Sequence, residues 1–425
     1  MMHDKAAIAA AISLRSYLLV TPAPHDSQAI TLRFTDIGVD HSWLISSLPW
    51  KIFNAPGKKK YSDDEVRHLD VDLVEAIQPL VSQIKEKVLQ TAALCFLYLY
   101  LSLGSQDSPP TIYTLRSTLP IGAGLGSSAS ISVCLSAALQ LQRNALTIPY
   151  PEMTQREILL QQKRINNWAF VGEMCIHGNP SGVDNTVSVQ GKAVMFKRQG
   201  SSLPPIVNSI KSFPKLPLML INTKTPRSTS EQVGNVKKLL DEYPSVVELV
   251  FDSIDNITQE ALNVITSFKE DESSHSPLIR LGELIRINHG LLVSLGVSHP
   301  RLERIRELID HAGIGWTKLT GAGGGGCSIT LLKPGVSKVV EDELAEKLRQ
   351  EGFEPYETRL GGDGVGLLWP AVIRRRAPER DSEYLYHEIT QELFLSAKGA
   401  QDVELLVGVD IVGEEGGWKF WRADS

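Results

Sequence analysis

Apolar residues in the first quarter of the chain recur with two different periods, which predict helices and strands. Across residues 63–88 they recur at steps of three or four, the spacing of an amphipathic helix, with a perturbation at Pro79. Residues 91–103 are apolar almost throughout and predict a buried helix. Residues 29–34 alternate as a strand does, whereas residues 6–20 fit a helix or a strand equally well.

A strand, a glycine-rich turn and a helix follow one another at residues 111–140. Residues 111–119 predict the strand, and residues 127–140, which are apolar and rich in alanine, predict the helix. The connection between them contains three glycines within seven residues. This order is typical of anion-binding loops, because the helix then begins directly after the flexible turn.

A change of composition near residue 205 predicts a boundary between two domains. The segment 200–205, Gly-Ser-Ser-Leu-Pro-Pro, combines glycine with two prolines, and a predicted strand at 216–221 follows it. We therefore expect one domain at residues 1–205, a second at 206–370, and a C-terminal extension of unknown role at 371–425.

Helical spacing dominates the second predicted domain. Apolar residues recur at helical steps over residues 247–265, 278–293 and 302–309, and residues 327–332 predict a strand after a second glycine-rich turn. In the extension, the glycine pair 416–417 predicts a hairpin turn.

Composition and charge narrow the function classes. The chain carries 43 Lys and Arg against 49 Asp and Glu, a formal net charge of −6, which argues against general binding to nucleic acid or an anionic membrane and favours a small substrate. The longest apolar run, at 91–103, is shorter than the ~20 residues that a membrane-spanning helix requires. Asp4 stands where a secretory signal has a basic region, and Arg15 interrupts the apolar segment that such a signal requires. We therefore expect a cytoplasmic protein. The four cysteines form no CxxC pair, so neither a zinc site nor a disulfide framework is expected.

The first glycine-rich turn, Pro120-Ile-Gly-Ala-Gly-Leu-Gly-Ser-Ser128, has the features of a phosphate cradle. Its glycines let backbone N–H groups face an anion, and the N-terminus of the next helix adds a favourable dipole. No Lys follows the last glycine as in a Walker A loop, and the GxGxG spacing differs from the dinucleotide fingerprint. The Ser128 hydroxyl could bind Mg²⁺. An ordinary glycine turn with Ser127 as the helix N-cap is the alternative.

The second glycine-rich turn, residues 321–326, matches GxGxxG literally but does not predict a nucleotide-binding Rossmann loop. Such a loop opens a helix, whereas residues 327–332 predict a strand. One interpretation is a close backbone approach to the substrate or to the first loop. The other is a structural bulge or tight turn.

Two carboxylates lie between the two glycine-rich turns of the sequence, one on each side of a turn-rich loop. A helix that carries Glu173 should end near Gly178, and a turn-rich loop should then present Asp184. Phosphoryl transfer needs one carboxylate to hold Mg²⁺ and another to orient or deprotonate the attacking hydroxyl, and these residues suit the two roles. The alternative is an exposed helix glutamate and an aspartate that stabilises a turn. We interpret His177 as a helix-end residue rather than a catalytic residue. Trp50 could contact an adenine, but a single Trp more often packs in the core.

Five segments of the chain, in order, resemble the GHMP kinase superfamily and, within it, the mevalonate kinases. They are PIGAGLGSSAS, NNWAFVGE, GNPSGVDNTVS, INTKTPRSTS and KLTGAGGGGC, and the likeness spans roughly residues 3–370. The first and last are common to the superfamily, whereas INTKTPRSTS and the stretch from Glu173 to Asp184 are similar to mevalonate kinases in particular. The resemblance implies an α+β, two-domain GHMP kinase fold. Its N-terminal, ATP-binding domain has a mixed sheet with helices, its C-terminal domain is α/β, and ATP and substrate meet between them.

The resemblance also implies an activity and a set of site residues. The activity is ATP-dependent phosphorylation of the mevalonate 5-hydroxyl to 5-phosphomevalonate, in isoprenoid and sterol biosynthesis, with Mg²⁺ as cofactor. Asp184 would be the catalytic base, and Ser128 and Glu173 would bind Mg²⁺. The residues implied to bind ATP are Ser117, Gly122, Ala123, Gly124, Leu125, Gly126, Ser127 and Ser128. The positions that match the substrate side are Arg227, Thr229, Gly323 and Gly324.

The start of the chain departs from the family pattern. A Lys-bearing strand and a Gly-Glu-His segment of the family have no counterpart before His3, so we expect an incomplete gene model in which Met1 is not the true start. If the chain is complete, loss of that Lys should weaken catalysis. The second hypothesis is therefore a catalytically weakened GHMP kinase homologue that acts as a nucleotide or metabolite sensor.

The third hypothesis, a non-enzymatic interaction protein, is disfavoured by the ordered glycine and carboxylate motifs. The expected partners are mevalonate and ATP, with no nucleic acid and no membrane. Because the family often forms dimers, a homodimer is one expected assembly.

Overall fold

The computed structural model of the protein describes residues 5–58, 60–61, 63–197, 206–268, 276–377, 380–408 and 417–422, with the backbone alone for residues 375–384. The segment that predicts the domain boundary, 200–205, lies outside the described residues, and so does Gly416 of the predicted hairpin turn. The boundary near residue 205 and that turn stay predictions.

Two sheets form the N-terminal half of the chain. Its strands are β1 (Ala6–Ala10), β2 (Ser16–Pro22), β3 (Ala29–Phe34), β4 (Val39–Leu44), β5 (Thr111–Ser117), β6 (Ala193–Lys197) and β7 (Ile206–Ile210). The larger sheet has the order β2-β5-β3-β4, in which β3 and β5 are parallel and the other neighbours antiparallel, so the predicted mixed sheet is confirmed. The smaller sheet, β1-β6-β7, is antiparallel. The ambiguous segment 6–20 therefore forms strands.

The helices of this half pack on the core of the mixed sheet, except α6, which packs on the smaller sheet. They are α1 (Trp50–Phe53), α2 (Val71–Val81), α3 (Lys87–Leu103), α4 (Ser127–Gln142), α5 (Gln155–His177) and α6 (Val183–Gln190). The apolar repeat that begins at residue 63 becomes helical only after Asp70, whose carboxylate caps α2 by accepting a hydrogen bond from the Asp72 N–H. The predicted buried helix at 91–103 is confirmed as most of α3. Among the described residues, no helix is both long and apolar enough to cross a bilayer.

An antiparallel sheet with helices on both faces forms most of the C-terminal half. Its strands, β8 (Leu216–Asn222), β9 (Gly315–Leu319), β10 (Cys327–Leu332) and β11 (Glu354–Leu360), have the order β11-β8-β10-β9. The helices are α7 (Thr229–Glu242), α8 (Pro244–Thr266), α9 (Ser276–Ser294), α10 (Pro300–Ala312) and α11 (Lys338–Gln350). Because strand side chains alternate between faces, Met219 and Ile221 pack against α10 and α11, while Trp316 and Leu331 pack toward α8 and α9. The helices predicted in this half are confirmed.

The C-terminal segment returns to the N-terminal half. It contains β12 (Gly366–Leu367), β13 (Val372–Ala377), β14 (Arg380–Glu388), α12 (Gln391–Ser396), α13 (Gly399–Val407) and β15 (Lys419–Phe420). Phe394 and Val403 join Tyr17 and Leu19 of β2 in one apolar cluster. Trp421 is buried in the core beside α5, where Gln162 donates a 2.6 Å hydrogen bond to its carbonyl oxygen. The segment thus completes the packing of the N-terminal sheet.

Candidate active site

The first glycine loop joins the buried strand β5 to α4. Gly122, Gly124 and Gly126 all have φ near 74°, in the left-handed region that glycine adopts without strain. Gly126 is the N-cap of α4, and no side chain caps this end, so the first N–H groups of the helix lack intrahelical partners. The structure rules out Ser127 as the N-cap, because Ser127 is the first residue of the helix itself. The loop therefore presents free backbone donors, as an anion site does.

Packing and hydrogen-bond contacts hold the first glycine loop in position. Ala123 is buried in a small apolar cluster with Leu220 and Cys327, which belong to the C-terminal sheet. Ser117, a predicted ATP residue, lies at the end of β5 with its Oγ atom 3.2 Å from Ser16 Oγ. The loop is thus attached to both halves of the molecule.

Glu173 and Ser128 meet where α5 packs against the start of α4. Gly172 permits this approach, because a Cβ atom there would lie 2.6 Å from Ser132 Oγ. Glu173 is only 4% exposed, and burial raises the pKa of its carboxyl to about 7, although a hydrogen bond from Ser128 opposes that shift. The Oε1 atom of Glu173 is buried and has no hydrogen-bond partner. A buried, unpaired carboxylate oxygen beside a serine hydroxyl is a donor set that suits a hard cation.

Asp184 lies beside the first loop, but not in the loop conformation that the sequence predicts. The helix that carries Glu173 does end at His177, as predicted, whereas Asp184 is the second residue of α6 and lies in its first turn. A Cβ atom on Gly126 would lie 3.2 Å from the Asp184 Cβ atom, so the two residues are in contact.

The surroundings of Asp184 raise the pKa of its carboxyl above the ordinary value. Solvent reaches the side chain from the cleft, but protein surrounds it on the other sides, and this desolvation outweighs the opposing charges of Arg227 and His177. Within the described part of the chain the carboxylate makes no hydrogen bond or ion pair. It is therefore free to accept a proton from a bound hydroxyl.

Arg227 joins the first glycine loop to the second. Its Nη2 donates a 3.2 Å hydrogen bond to the Gly124 carbonyl oxygen, and its Nη1 donates one of 3.1 Å to the Thr320 carbonyl oxygen. Thr229 is the first residue of α7 and lines the same cleft. The predicted substrate-side residues Arg227 and Thr229 thus lie at the site, with the guanidinium already paired to backbone.

The second glycine loop is the connection of the β9–β10 hairpin. It follows a strand and precedes a strand, which confirms that the literal GxGxxG match is not a Rossmann loop. A Cβ atom on Gly326 would lie 3.2 Å from the Ala123 carbonyl oxygen, so the close approach is to the first loop. Gly323 and Gly324 lie against Val297 and Gln232, and their contact with a substrate stays a prediction.

A cleft of about 1420 Å³ opens beside these residues. Gly124, Gly126, Asp184 and Arg227 line it, and it continues beyond them along β1, β2, α8 and α9. This volume exceeds that of a usual single-ligand pocket, so the site occupies one part of the cleft. Trp50 lies elsewhere, buried against Tyr100 with its Nε1 donating to the Ile45 carbonyl oxygen, and its predicted core role is confirmed.

Two further side chains lie at the site: His177, which the sequence predicts as a helix-end residue, and Lys318, for which the sequence predicts no role. The Nε2 atom of His177 lies 3.1 Å from Ser128 Oγ, and its position four residues after Glu173 places both on one face of α5. Lys318 lines the cleft, and burial lowers its pKa to about 8. The i, i+4 spacing is the signal that could have identified His177.

Comparison with known sequences identifies relatives across nearly the whole chain. The model of the GHMP kinases N terminal domain matches residues 88–192, and that of the GHMP kinases C terminal domain matches residues 273–350. The mevalonate kinase of Aspergillus fumigatus is 55% identical over 99% of this chain and 79% of its own length. That of Gibberella zeae is 54% identical over 100% of this chain and 85% of its own length. The human mevalonate kinase is 36% identical over 86% of this chain and 90% of its own length.

Solved structures share the fold at lower identity. A Leishmania major mevalonate kinase in complex with R-mevalonate superposes with a TM-score of 0.57 at 22% identity, over 85% of this chain and 91% of that one. The Methanococcus jannaschii mevalonate kinase gives a TM-score of 0.59 at 22% identity, over 84% of this chain and 92% of that one. The two-domain α+β architecture is therefore shared with these kinases.

Proposed function

The chain belongs to the mevalonate kinase family, and we propose that its two glycine loops and Asp184 carry out the ATP-dependent phosphorylation of mevalonate. The observation that carries this proposal is the contact between Asp184 and Gly126, which places a free carboxylate beside a loop of unpaired backbone donors. That is the arrangement a kinase needs, with a proton acceptor next to the phosphoryl group that moves. No observation favours the alternative of a sensor without turnover.

The first loop would hold the phosphates of ATP. The unpaired N–H groups at the start of α4 and the left-handed glycines at 122, 124 and 126 supply donors without charged side chains. Arg227 keeps this loop against the second one through the carbonyl oxygens of Gly124 and Thr320. The phosphates would thus be bound by a preformed surface, and little reorganisation would be needed at the moment of transfer.

Ser128 and Glu173 would hold the Mg²⁺ ion that accompanies ATP. The orphaned Oε1 atom of Glu173 fits this role, because a buried carboxylate oxygen without a partner is costly unless a cation reaches it. No group of three His, Cys, Asp or Glu suited to a metal occurs within the described ranges. Two protein ligands agree with Mg²⁺, which usually takes its remaining ligands from phosphates and water. Bound there, Mg²⁺ would neutralise negative charge on the phosphates.

Asp184 would act on the 5-hydroxyl of mevalonate. Its carboxylate would accept a hydrogen bond from that hydroxyl, aim the oxygen at the γ-phosphorus, and take the proton as the new O–P bond forms and the bond to the β-phosphate oxygen breaks. Because partial desolvation in the cleft raises the pKa of this carboxyl, Asp184 is a stronger base than a fully solvated aspartate. The products are 5-phosphomevalonate and ADP.

The test is ADP release by the chain with ATP, Mg²⁺ and mevalonate, compared with a 5-deoxy analogue of mevalonate. The proposal predicts release with mevalonate, none above background with the analogue, and loss of release when EDTA removes the metal. Phosphorus NMR should then show a monophosphate ester on the 5-oxygen. ATP binding without any mevalonate-dependent release would instead support the sensor hypothesis.

A further inference from the structure

The imidazole of His177 contacts a hydroxyl of the proposed metal site. Its Nε2 atom lies 3.1 Å from Ser128 Oγ, and Glu173, the other proposed metal ligand, lies four residues earlier on the same face of α5. Ser128 therefore lies against the helix face that carries both side chains. Nothing in the proposed chemistry requires a histidine at this place.

A role in ending the helix does not explain the contact. His177 is the last residue of α5, where a histidine often interacts with the final carbonyl groups. Here the helix end is completed by the Gly178 N–H, which donates to the Met174 carbonyl oxygen, and Gly178 has a positive φ of 74°. The ring nitrogen of His177 is instead directed to Ser128 on another helix.

The contact with His177 limits how the Ser128 hydroxyl can turn. A serine hydroxyl has one proton and two acceptor lone pairs, and a neutral imidazole nitrogen donates or accepts according to its tautomer. Because Nε2 of His177 lies 3.1 Å from Ser128 Oγ, this hydrogen bond holds the hydroxyl in either tautomer, and the Ser128 oxygen keeps a lone pair for the cleft.

We propose that His177 is a positioning residue that fixes the orientation of the Ser128 hydroxyl, so that its remaining lone pair faces the Mg²⁺ carried by ATP. This inference rests on the proposed function, since it needs a metal–nucleotide complex in the first loop. His177 would not bind the metal itself but would hydrogen-bond to a residue that does, and such bonds commonly orient metal ligands. Without it, Ser128 can rotate, and the site should lose affinity for the metal-bound nucleotide but not for the nucleotide alone.

The experiment measures ATP binding by calorimetry, without mevalonate, once with Mg²⁺ and once with EDTA. The parent chain is compared with His177→Ala, with His177→Gln, whose side-chain amide can donate or accept in place of the imidazole Nε2, and with His311→Ala. His311 is a matched control because it is an exposed histidine in the last turn of another helix, α10. Thermal unfolding of each variant checks that the fold is kept.

In the parent chain Mg²⁺ should tighten ATP binding. In His177→Ala this gain should shrink by about fivefold to tenfold, the equivalent of one hydrogen bond, while affinity in EDTA stays unchanged. His177→Gln should recover most of the gain, and His311→Ala should match the parent.

A full Mg²⁺ gain in His177→Ala, or a His177→Gln variant as weak as the alanine variant, would overturn the inference and leave the proposed function standing. An equal loss of affinity with and without the metal would also overturn it, since a general effect on the loop would then explain the contact. A parent chain that binds no ATP at all would overturn the proposed function and this inference together.

Discussion

The Arg227 guanidinium lies 3.2 Å from the carbonyl oxygen of Gly124, at the centre of the predicted phosphate loop. Its other terminal nitrogen reaches the Thr320 carbonyl oxygen in the second loop. A planar, forked donor can satisfy both acceptors at once, which a single ammonium does less well. The geometry of the two loops therefore depends on one side chain from the segment between β8 and α7.

Replacing Arg227 by Lys should separate the loops while keeping the charge. We expect the affinity for Mg²⁺-ATP to fall by about tenfold, because one of two charge-assisted hydrogen bonds is lost. Calorimetry gives this value directly, with Arg280→Lys on the exposed side of α9 as the control for the substitution itself. Unchanged affinity in Arg227→Lys would show that the bridge does not shape the phosphate loop.

Replacing Gly172 by Ala should disturb the contact between α5 and α4. The new Cβ atom would lie 2.6 Å from Ser132 Oγ and 3.3 Å from Cys95 Sγ, so one helix must move. We expect the free energy of unfolding to fall by about 1–3 kcal/mol, together with weaker Mg²⁺-ATP binding because Glu173 moves with the helix.

Gly290→Ala is the matched control for Gly172→Ala, since Gly290 also lies inside a helix but has open space at its Cβ position. That variant should gain about 0.5–1 kcal/mol of stability from helix propensity. Urea unfolding measures the free energy of unfolding of both variants. If Gly172→Ala proved as stable as Gly290→Ala, the close packing at this position would be contradicted.

The buried His289 should make the protein less stable in mild acid. Its Nδ1 accepts a hydrogen bond from the Leu319 N–H, so its Nε2 carries the proton and donates to Glu303. Burial lowers the pKa of this imidazole below its ordinary value of 6.5, although the charge of Glu303 opposes the shift. The unfolded chain therefore binds a proton near pH 6.5 that the folded chain does not yet bind, and stability is lost as the pH falls below that value.

The measurement is urea unfolding between pH 7.5 and pH 5.5. As the pH falls, protonation of His289 should lower the free energy of unfolding of the parent by up to about 1.4 kcal/mol per pH unit. His289→Gln should depend less on pH, because glutamine does not titrate. The exposed His311→Gln serves as control and should follow the parent. Identical pH profiles for the parent and His289→Gln would contradict the assignment.

Helix α12 offers a test of whether the C-terminal segment belongs to the folded core. Phe394 is 2% exposed and packs in the cluster with β2, whereas its neighbour Leu393 is 48% exposed. Phe394→Ala should lower the free energy of unfolding by about 3–5 kcal/mol, and Leu393→Ala should change it by less than about 0.5 kcal/mol. Equal, small effects would show that the segment does not pack as described.

The local backbone of the candidate site could be predicted from the sequence because its motifs are local. The strand–loop–helix order around Gly122, Gly124 and Gly126 follows from glycine content and apolar spacing, and the structure reproduces it. The helix carrying Glu173 was also predicted with its end, since Gly178 marks a helix C-terminus in the sequence as it does in the structure.

Other features depended on contacts between distant residues and were missed. Asp184 was expected in a loop because Asn, Pro, Ser and Gly precede it, yet Gly182 takes a left-handed conformation and starts α6 at the next residue. Val66 and Leu69 have helical spacing but pack on the core from irregular backbone, because the helix begins only after the Asp70 cap. The meeting of His177 with Ser128 requires the close helix packing at Gly172, which no local pattern reveals.

The most direct test of the central claim is mevalonate-dependent ADP release by Asp184→Asn beside the parent chain. Asparagine keeps the shape of the side chain but cannot take a proton, so the turnover rate should fall by about 10²–10⁴-fold while Mg²⁺-ATP binding stays near that of the parent. If Asp184→Asn turned over mevalonate at the parent's rate, or if the parent bound ATP and released no mevalonate-dependent ADP, the account of Asp184 as the base of a mevalonate kinase would be contradicted.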